Sequence, residues 1–220
     1  MLPWWLIAVP IWFNVFYLLL GWRFSYPGIL RQPTDVILSK FRAEGSGLVL
    51  LWWFFALGAL AFIPIAVLSA QLIPDPTLAL FAVVVGVTAA LVQALGLLRW
   101  VFLVPYLARE AEAGADPKTV DLVFQSFHRY LGVTVGEHLG YLGTGIWTVL
   151  FAVGLQLGGN SVAITIPGYI IGAMLLLGSL EFVGPFEKNG WRLAGILVPV
   201  GYILWSIWLI VIGVVLLLEA

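Results

Sequence analysis

Six apolar runs, each long enough to cross a membrane as a helix, constrain the fold of this chain more than any other feature. A helix of about 20 residues crosses a hydrocarbon layer of about 30 Å. The runs lie at residues 3–22, 47–72, 78–98, 131–157, 164–184 and 191–218. For the third run, an alternative is a longer helix that continues to Pro105 or bends onto the membrane interface. Because backbone polar groups in lipid must be satisfied within the span, we predict an all-α polytopic membrane protein. Its six transmembrane helices form one bundle, in a single domain over residues 1–220.

The composition excludes several other classes of protein. Hydrophobic residues make up 62% of the chain and charged residues 10%, which leaves too little polar surface for a soluble domain. The net charge of −1, without a basic cluster, argues against nucleic acid as a partner. The chain has no cysteine, so disulfides, thiolate metal sites and thiol catalysis are ruled out. We expect the lipid bilayer to be the main partner, with other membrane subunits as further candidates.

The distribution of basic residues predicts the orientation of the bundle. The first, third and fifth connections contain Lys and Arg, at Arg23, Arg31, Lys40, Arg42, Arg109, Lys118, Arg129, Lys188 and Arg192. The second and fourth connections contain neither. By the positive-inside rule, the odd connections are cytoplasmic and both termini face outward, an N-out/C-out topology.

A short amphipathic helix is predicted directly before the fourth span. It begins near Asp116, and its apolar side chains recur at helical spacing while its polar side chains point elsewhere. The apolar set is Val120, Val123, Phe124, Phe127 and Leu131. Such a helix is typical of a membrane surface, here the cytoplasmic one.

The fourth span is unusual because it carries Glu137 and His138 side by side. At 100° per residue, Thr134, Glu137, His138 and Tyr141 share one side of an α-helix. A neighbouring strip consists of small residues, which permit close helix packing: Gly132, Gly136, Gly140 and Gly143. We therefore predict an inward-facing helix with one polar face and one glycine face.

Other ionisable residues are expected at the same depth. Glu181 lies late in the fifth span, and Arg99 ends the third. Arg99 is a natural partner for Glu137 or Glu181, because an isolated charge in a span is costly. Arg23, at the end of the first span, is expected on the same side. The candidate binding or proton-relay residues are Glu137, His138, Glu181, Arg99, Tyr141 and Thr134. For Glu137 and His138 a structural lock between helices is an equal alternative, whereas the alternative for Arg99 is an interfacial side chain that reaches water and for Glu181 a solvated helix end.

Known catalytic and metal-binding motifs are missing from the sequence. It contains no G-x-S-x-G nucleophile motif. Glu137 and His138 stand in the wrong order for H-E-x-x-H, and the chain has only two histidines. We predict no catalytic residue, no metal site and no cofactor, and keep haem or a pigment as an open alternative.

Four segments resemble a bacterial family of multi-span membrane proteins that is catalogued only as a domain of unknown function. They are GLLRWVFLVP at 96–105, FHRY at 127–130, GEHLGY at 136–141 and LEFVG at 180–184. The resemblance implies a helical protein of six or seven spans in the cytoplasmic (inner) membrane of a bacterium. It implies no activity.

Three functions are compatible with these features. We favour a non-enzymatic binding or accessory subunit of a larger membrane assembly, with a buried polar site near the cytoplasmic side. The second hypothesis is a small proton- or ion-coupled transporter that uses Glu137, His138, Glu181 and Arg99. The third is an intramembrane enzyme.

Overall fold

The computed structural model describes residues 1–219, and this part of the chain consists of helices joined by turns and loops, with no strand. Eight α-helices and one π-helix make up most of it. The α-helices are α1 (Leu2–Phe24), α2 (Thr34–Leu60), α3 (Phe62–Ser69), α4 (Pro76–Glu112), α5 (Pro117–Phe127), α6 (Gly140–Leu157), α7 (Val162–Gly178) and α8 (Ala194–Leu218). The π-helix, His128–Leu139, joins α5 to α6.

Most of these helices are apolar enough to cross a membrane. Five helical stretches qualify by length and composition, and α7 is a shorter apolar helix. The five are Leu2–Phe24, Thr34–Leu72, Pro76–Glu112, Pro117–Leu157 and Ala194–Leu218. Large apolar side chains such as Phe81 and Phe102 lie on the outer surface, where lipid can cover them. The prediction of an all-α membrane bundle is confirmed.

Several helix ends differ from the predicted spans. α4 continues past residue 98, through Pro105, and ends at Glu112. At 1.5 Å per residue its 37 residues extend about 55 Å, well beyond a hydrocarbon core. α7 ends at Gly178, although the apolar run continues to residue 184. Hydropathy cannot detect that end, because the turns that follow are themselves rich in apolar residues.

Six helices form a closed ring. α1 packs on α2, α2 on α4, α4 on α6, α6 on α7, α7 on α8, and α8 returns to α1. One end of the ring is filled by a core that includes Leu6, Phe62, Trp147 and Trp205. A second core, which includes Trp52 and Trp100, lies at the other end, where α5 also packs. The second core contains no residue of α6, α7 or α8, so it does not fill the interior of the ring beside those helices.

Local sequence explains the break within α2 and the start of α5. α2 is interrupted at Gly45, whose φ of 66° suits glycine and separates an initial segment from the apolar part of the helix. α5 is capped by Asp116, whose carboxylate accepts hydrogen bonds from the Thr119 backbone N–H and hydroxyl. These bonds hold the pKa of the Asp116 carboxyl below its usual range. Val120 and Phe124 of α5 are buried in the second core.

The π-helix changes the geometry of the fourth span. It extends over 12 residues, whereas π-helical segments usually form a single turn, often at a functional site. The hydroxyl of Thr134 donates to the carbonyl of Arg129, five residues earlier, in keeping with the i→i+5 pattern. A π-helix has more residues per turn than an α-helix, so side chains in this segment do not share faces as 100° spacing predicts.

Candidate functional site: a polar cavity inside the ring

A cavity of about 400 Å³ lies inside the ring. Its walls are mainly apolar and aromatic, and they come from α1, α2, α4, the π-helix, α6 and α8. The charged residues among its lining are Arg31, Arg99, Glu137 and Glu181. Enclosed apolar walls with a few converging polar groups are typical of small-molecule sites.

Glu137, on the π-helix, presents a carboxylate to this cavity. Within residues 1–219, only Trp52 Nε1 and Trp147 Nε1 are fully enclosed side-chain polar atoms without a hydrogen-bond partner. The Glu137 oxygens have no hydrogen-bond partner in this part of the chain either, but they are not among these fully enclosed atoms. They are therefore accessible, and the space that they face is the cavity that Glu137 lines. A charge that lacks both water and a partner is costly inside a bundle. The carboxylate is therefore available to a ligand or a water.

Arg99, on α4, is only 7% exposed and also lines the cavity. Its guanidinium donates to the Gly96 carbonyl and to Nδ1 of His128, at 3.5 Å. Since arginine is never an acceptor, Nδ1 of His128 must be unprotonated. The guanidinium also lies 5.3 Å from the centre of the Trp100 ring. None of these contacts is with an anion, so Arg99 has no direct ion-pair partner within residues 1–219, although Glu137 lies close enough for its charge to act on the guanidinium.

The direct pairing of Arg99 with a glutamate, which the sequence suggested, is not observed. The ion pairs within residues 1–219 are Arg23–Glu44, Arg31–Glu181 and Arg129–Glu187. Arg23 thus pairs with Glu44 instead of joining the cavity. The sequence did not indicate the observed partners of Arg23 and Glu181. Arg31 lies in the segment between α1 and α2, and Glu44 lies in the initial segment of α2, where helical spacing does not show which residues of other elements are neighbours.

The pair Arg31–Glu181 lies at the edge of the cavity. Its N–O distance is 3.0 Å, and the Arg31 side chain is 72% exposed while that of Glu181 is 13% exposed. Tyr26, in the same loop as Arg31, also lines the cavity. Burial raises the pKa of the Tyr26 hydroxyl, which stays protonated and can donate a hydrogen bond. This loop and its ion pair form the mouth of the cavity.

A model of the DUF4386 family, a domain of unknown function, matches residues 4–213. The chain belongs to the DUF4386 family. The match includes every element that lines the cavity, and it confirms the resemblance to a family that is catalogued only as a domain of unknown function. No curated protein and no solved structure matches the chain.

A polar network forms one wall of the cavity in this DUF4386 chain. Gln93 of α4 donates to the Thr144 hydroxyl at 3.1 Å and accepts from the Tyr202 hydroxyl at 3.0 Å. Tyr141 lies edge-on to Tyr202, with ring centres 5.6 Å apart. The network joins α4, α6 and α8, so it holds the aromatic wall in one arrangement.

Two predicted site residues point away from the cavity. His138 has its Nδ1 at 2.7 Å from the carbonyl of Ser179, so this nitrogen carries a proton and donates it to that acceptor. Thr134 is exposed and bonds to the Arg129 carbonyl of its own helix. The wider π-helical turn moves Thr134 off the face of Glu137 that α-helical spacing predicted, whereas His138 is held toward the end of α7 by its bond to Ser179.

The glycine strip of the fourth span lies against α4. A Cβ on Gly136 would lie 3.0 Å from Cα of Gly96, and one on Gly132 would lie 2.6 Å from the Arg99 guanidinium. Gly140 and Gly143 meet Gln93 and Ala89 in the same way. The absence of side chains at these positions lets the two helices approach closely and leaves room for Arg99.

Several lining residues were not anticipated from the sequence. Tyr26 and Arg31 belong to a loop without a motif, and Tyr202 lies in the very apolar α8. A lone tyrosine in an apolar span is a weak signal that could have indicated Tyr202. No local sequence pattern indicates Tyr26 or Arg31, because the tertiary fold brings them to the cavity.

Within residues 1–219 no group of three or more His, Cys, Asp or Glu side chains is arranged to hold a metal ion.

Proposed function

We propose that this chain is a non-enzymatic membrane protein that binds a small amphipathic molecule in the cavity, as a binding or accessory component of a membrane assembly. The observation that carries this proposal is the open Glu137 carboxylate in a cavity with mainly apolar and aromatic walls. Apolar walls suit the body of such a ligand, and the few polar groups would fix its orientation.

A cavity-filling variant tests this proposal. Leu97 of α4 lines the cavity, while Leu95 of the same helix is 53% exposed on its outer side. Mildly purified wild type and Leu95→Trp should retain a small molecule in native mass spectrometry. Leu97→Trp should retain at least about tenfold less, because the indole would occupy the ligand's space. Equal retention by all three proteins, or none by any, would contradict ligand binding in this cavity.

The proposal includes an orientation and a location. The loop with Arg31 and the turn with Glu181 surround the mouth, and the basic residues lie in the odd connections. The positive-inside rule then assigns the mouth to the cytoplasmic side of a bacterial inner membrane, with both termini outside. A thiol introduced as Thr77→Cys should react with an impermeant reagent from outside, and Lys118→Cys should not. The reverse pattern would overturn the topology.

Transport is a second candidate, and two observations favour it. An ion pair, Arg31–Glu181, spans the mouth, and the irregular backbone of the π-helix lines the cavity. Broken or irregular helices at such positions are common in transporters. In proteoliposomes, Glu137→Gln would leave a transporter folded but abolish its flux. For an accessory protein, Glu137→Gln and His138→Ala should lower assembly or thermal stability, and no pH-dependent flux would exist to be lost.

A further inference from the structure

We propose that the cavity recognises a zwitterion, with Arg99 contacting an anionic oxygen group and Glu137 contacting an ammonium group. This inference rests on the proposed ligand-binding function and gives the ligand a chemical class. Free zwitterions and zwitterionic lipid headgroups share this chemistry.

Arg99 supplies the first half of the argument. Its guanidinium is buried against Gly96, His128 and Trp100, and none of these is an anion. A buried cation without an anionic partner is strongly destabilising. Arginine has five N–H donors, and the two hydrogen bonds in the structure leave at least one donor for a carboxylate or phosphate oxygen. The position is also specifically built, because Gly132 has no Cβ that would collide with the guanidinium.

Glu137 supplies the second half. Its carboxylate has no hydrogen-bond partner within residues 1–219, and it faces the same cavity. The other lining carboxylate, Glu181, is neutralised by Arg31 at 3.0 Å. An anionic ligand would satisfy Arg99 but would be repelled by Glu137, and a cationic ligand would have the opposite problem. A zwitterion satisfies both charges, because it places each of its ends near the opposite charge.

The aromatic walls complete the match. Tyr26, Tyr141 and Tyr202 all line the cavity, and the faces of aromatic rings attract ammonium groups. Their rings also provide apolar surface for the uncharged part of the ligand. A cavity of about 400 Å³ accommodates an amino acid or a phospholipid headgroup.

The test compares probes of different charge on protein in a non-ionic maltoside detergent. The probes are dihexanoylphosphatidylethanolamine, dihexanoylphosphatidylglycerol, hexylammonium, a neutral hexylglycerol and free glycerophosphoethanolamine. Trp100 lines the cavity, so tryptophan fluorescence reports binding, and native mass spectrometry checks its stoichiometry. We expect a zwitterionic probe to bind at least about tenfold more tightly than the anionic, cationic or neutral probes. Preference for the phospholipid identifies a headgroup as the source, and equal binding of glycerophosphoethanolamine identifies a free zwitterion.

The matched variants are Glu137→Gln and Glu187→Gln. Glu137→Gln should reduce the preference for phosphatidylethanolamine over phosphatidylglycerol to about twofold or less. Glu187 is 67% exposed and pairs with Arg129, so Glu187→Gln should keep the preference. The probe series on wild-type protein gives a result even if Glu137→Gln fails to fold.

Two outcomes would overturn the inference, and they have different consequences for the proposed ligand-binding function. If all probes bind equally, or the neutral probe binds best, the zwitterion inference fails while ligand binding in the cavity stands. If no probe binds and Leu97→Trp retains as much native ligand as Leu95→Trp, the binding function itself fails.

Discussion

Arg31 and Glu181 lie 150 residues apart in the chain, and their side chains meet at 3.0 Å across the mouth of the cavity. The pair ties the loop after α1 to the turn after α7. Glu181 is largely enclosed, while Arg31 lies mostly in solvent. The Arg31–Glu181 pair therefore has two effects, closure of the mouth and partial burial of the Glu181 carboxylate, and each can be tested separately.

Breaking the pair from the arginine side should open the mouth. Since the chain has no cysteine, a thiol introduced as Val133→Cys reports access to the cavity. Adding Arg31→Gln should raise its labelling rate by a water-soluble maleimide, by at most about fivefold, because exposed ion pairs contribute only up to about 1 kcal/mol. Arg129→Gln breaks an exposed pair that does not line the cavity and serves as the control. Equal labelling with and without Arg31→Gln would contradict the role of this pair in closure.

Glu181 should make stability depend on pH. Burial raises the pKa of its carboxyl above the ordinary 4.5, and Arg31 opposes this effect only in part. The folded protein thus binds this proton more tightly than the unfolded chain. The contribution of Glu181 is fully present below pH 4.5 and is lost as pH rises through the raised pKa.

The neutral variant Glu181→Gln does not titrate, so its melting temperature should exceed that of wild type by a margin that grows from about pH 4 to about pH 8. Differential scanning fluorimetry across this range measures that margin. Glu187→Gln, at a site 67% exposed, should give a margin that does not change with pH. A melting temperature for Glu181→Gln that falls furthest below wild type at high pH would mean that the ion pair outweighs burial.

Gly96 should tolerate no side chain. A Cβ at this position would lie 2.5 Å from Cα of Gly136, and backbone cannot move aside as a flexible side chain can. Gly96→Ala should therefore destabilise the protein by about 1–3 kcal/mol, as overpacking does, and lower its melting temperature in detergent. Gly28→Ala is the control, since a Cβ there meets nothing within 4 Å. Similar melting temperatures for the two variants would contradict this close helix contact.

The network around Gln93 should stabilise the ring. Gln93→Leu removes the nearer acceptor of the Tyr202 hydroxyl, at 3.0 Å, and one hydrogen bond to Thr144, and leaves Tyr202 only the longer contact with Thr144, at 3.5 Å. Membrane proteins gain about 0.6–2 kcal/mol from such a bond, so we expect a loss of about 1–2 kcal/mol in unfolding by sodium dodecyl sulfate. Gln156→Leu also removes a bond to a tyrosine, Tyr169, but at an exposed site, and should cost clearly less. Equal losses would mean that the network adds nothing by being enclosed.

Part of the candidate site follows from local sequence. Glu137 and Arg99 stand out because ionisable residues in apolar runs are rare and costly, and both line the cavity. Spacing predicted that His138 and Thr134 would join them, and the structure directs them elsewhere. That prediction depended on α-helical geometry, and nothing in residues 128–139 indicates from sequence alone that a π-helix forms there.

The apolar runs of the sequence are enough to specify that this protein lies in a membrane and that its fold is helical. Apolar runs of the right length must satisfy their backbone hydrogen bonds within each segment, so they become membrane-crossing helices whatever their neighbours are. The pairing of Glu181 with Arg31, and the lack of an ion pair for Arg99 and Glu137 within residues 1–219, follow from tertiary packing. These side chains come from different elements of the fold. The glycine strip marks Gly136 as a position of close packing, but it does not specify that Gly96 of α4 lies opposite, because that contact depends on how the helices are arranged.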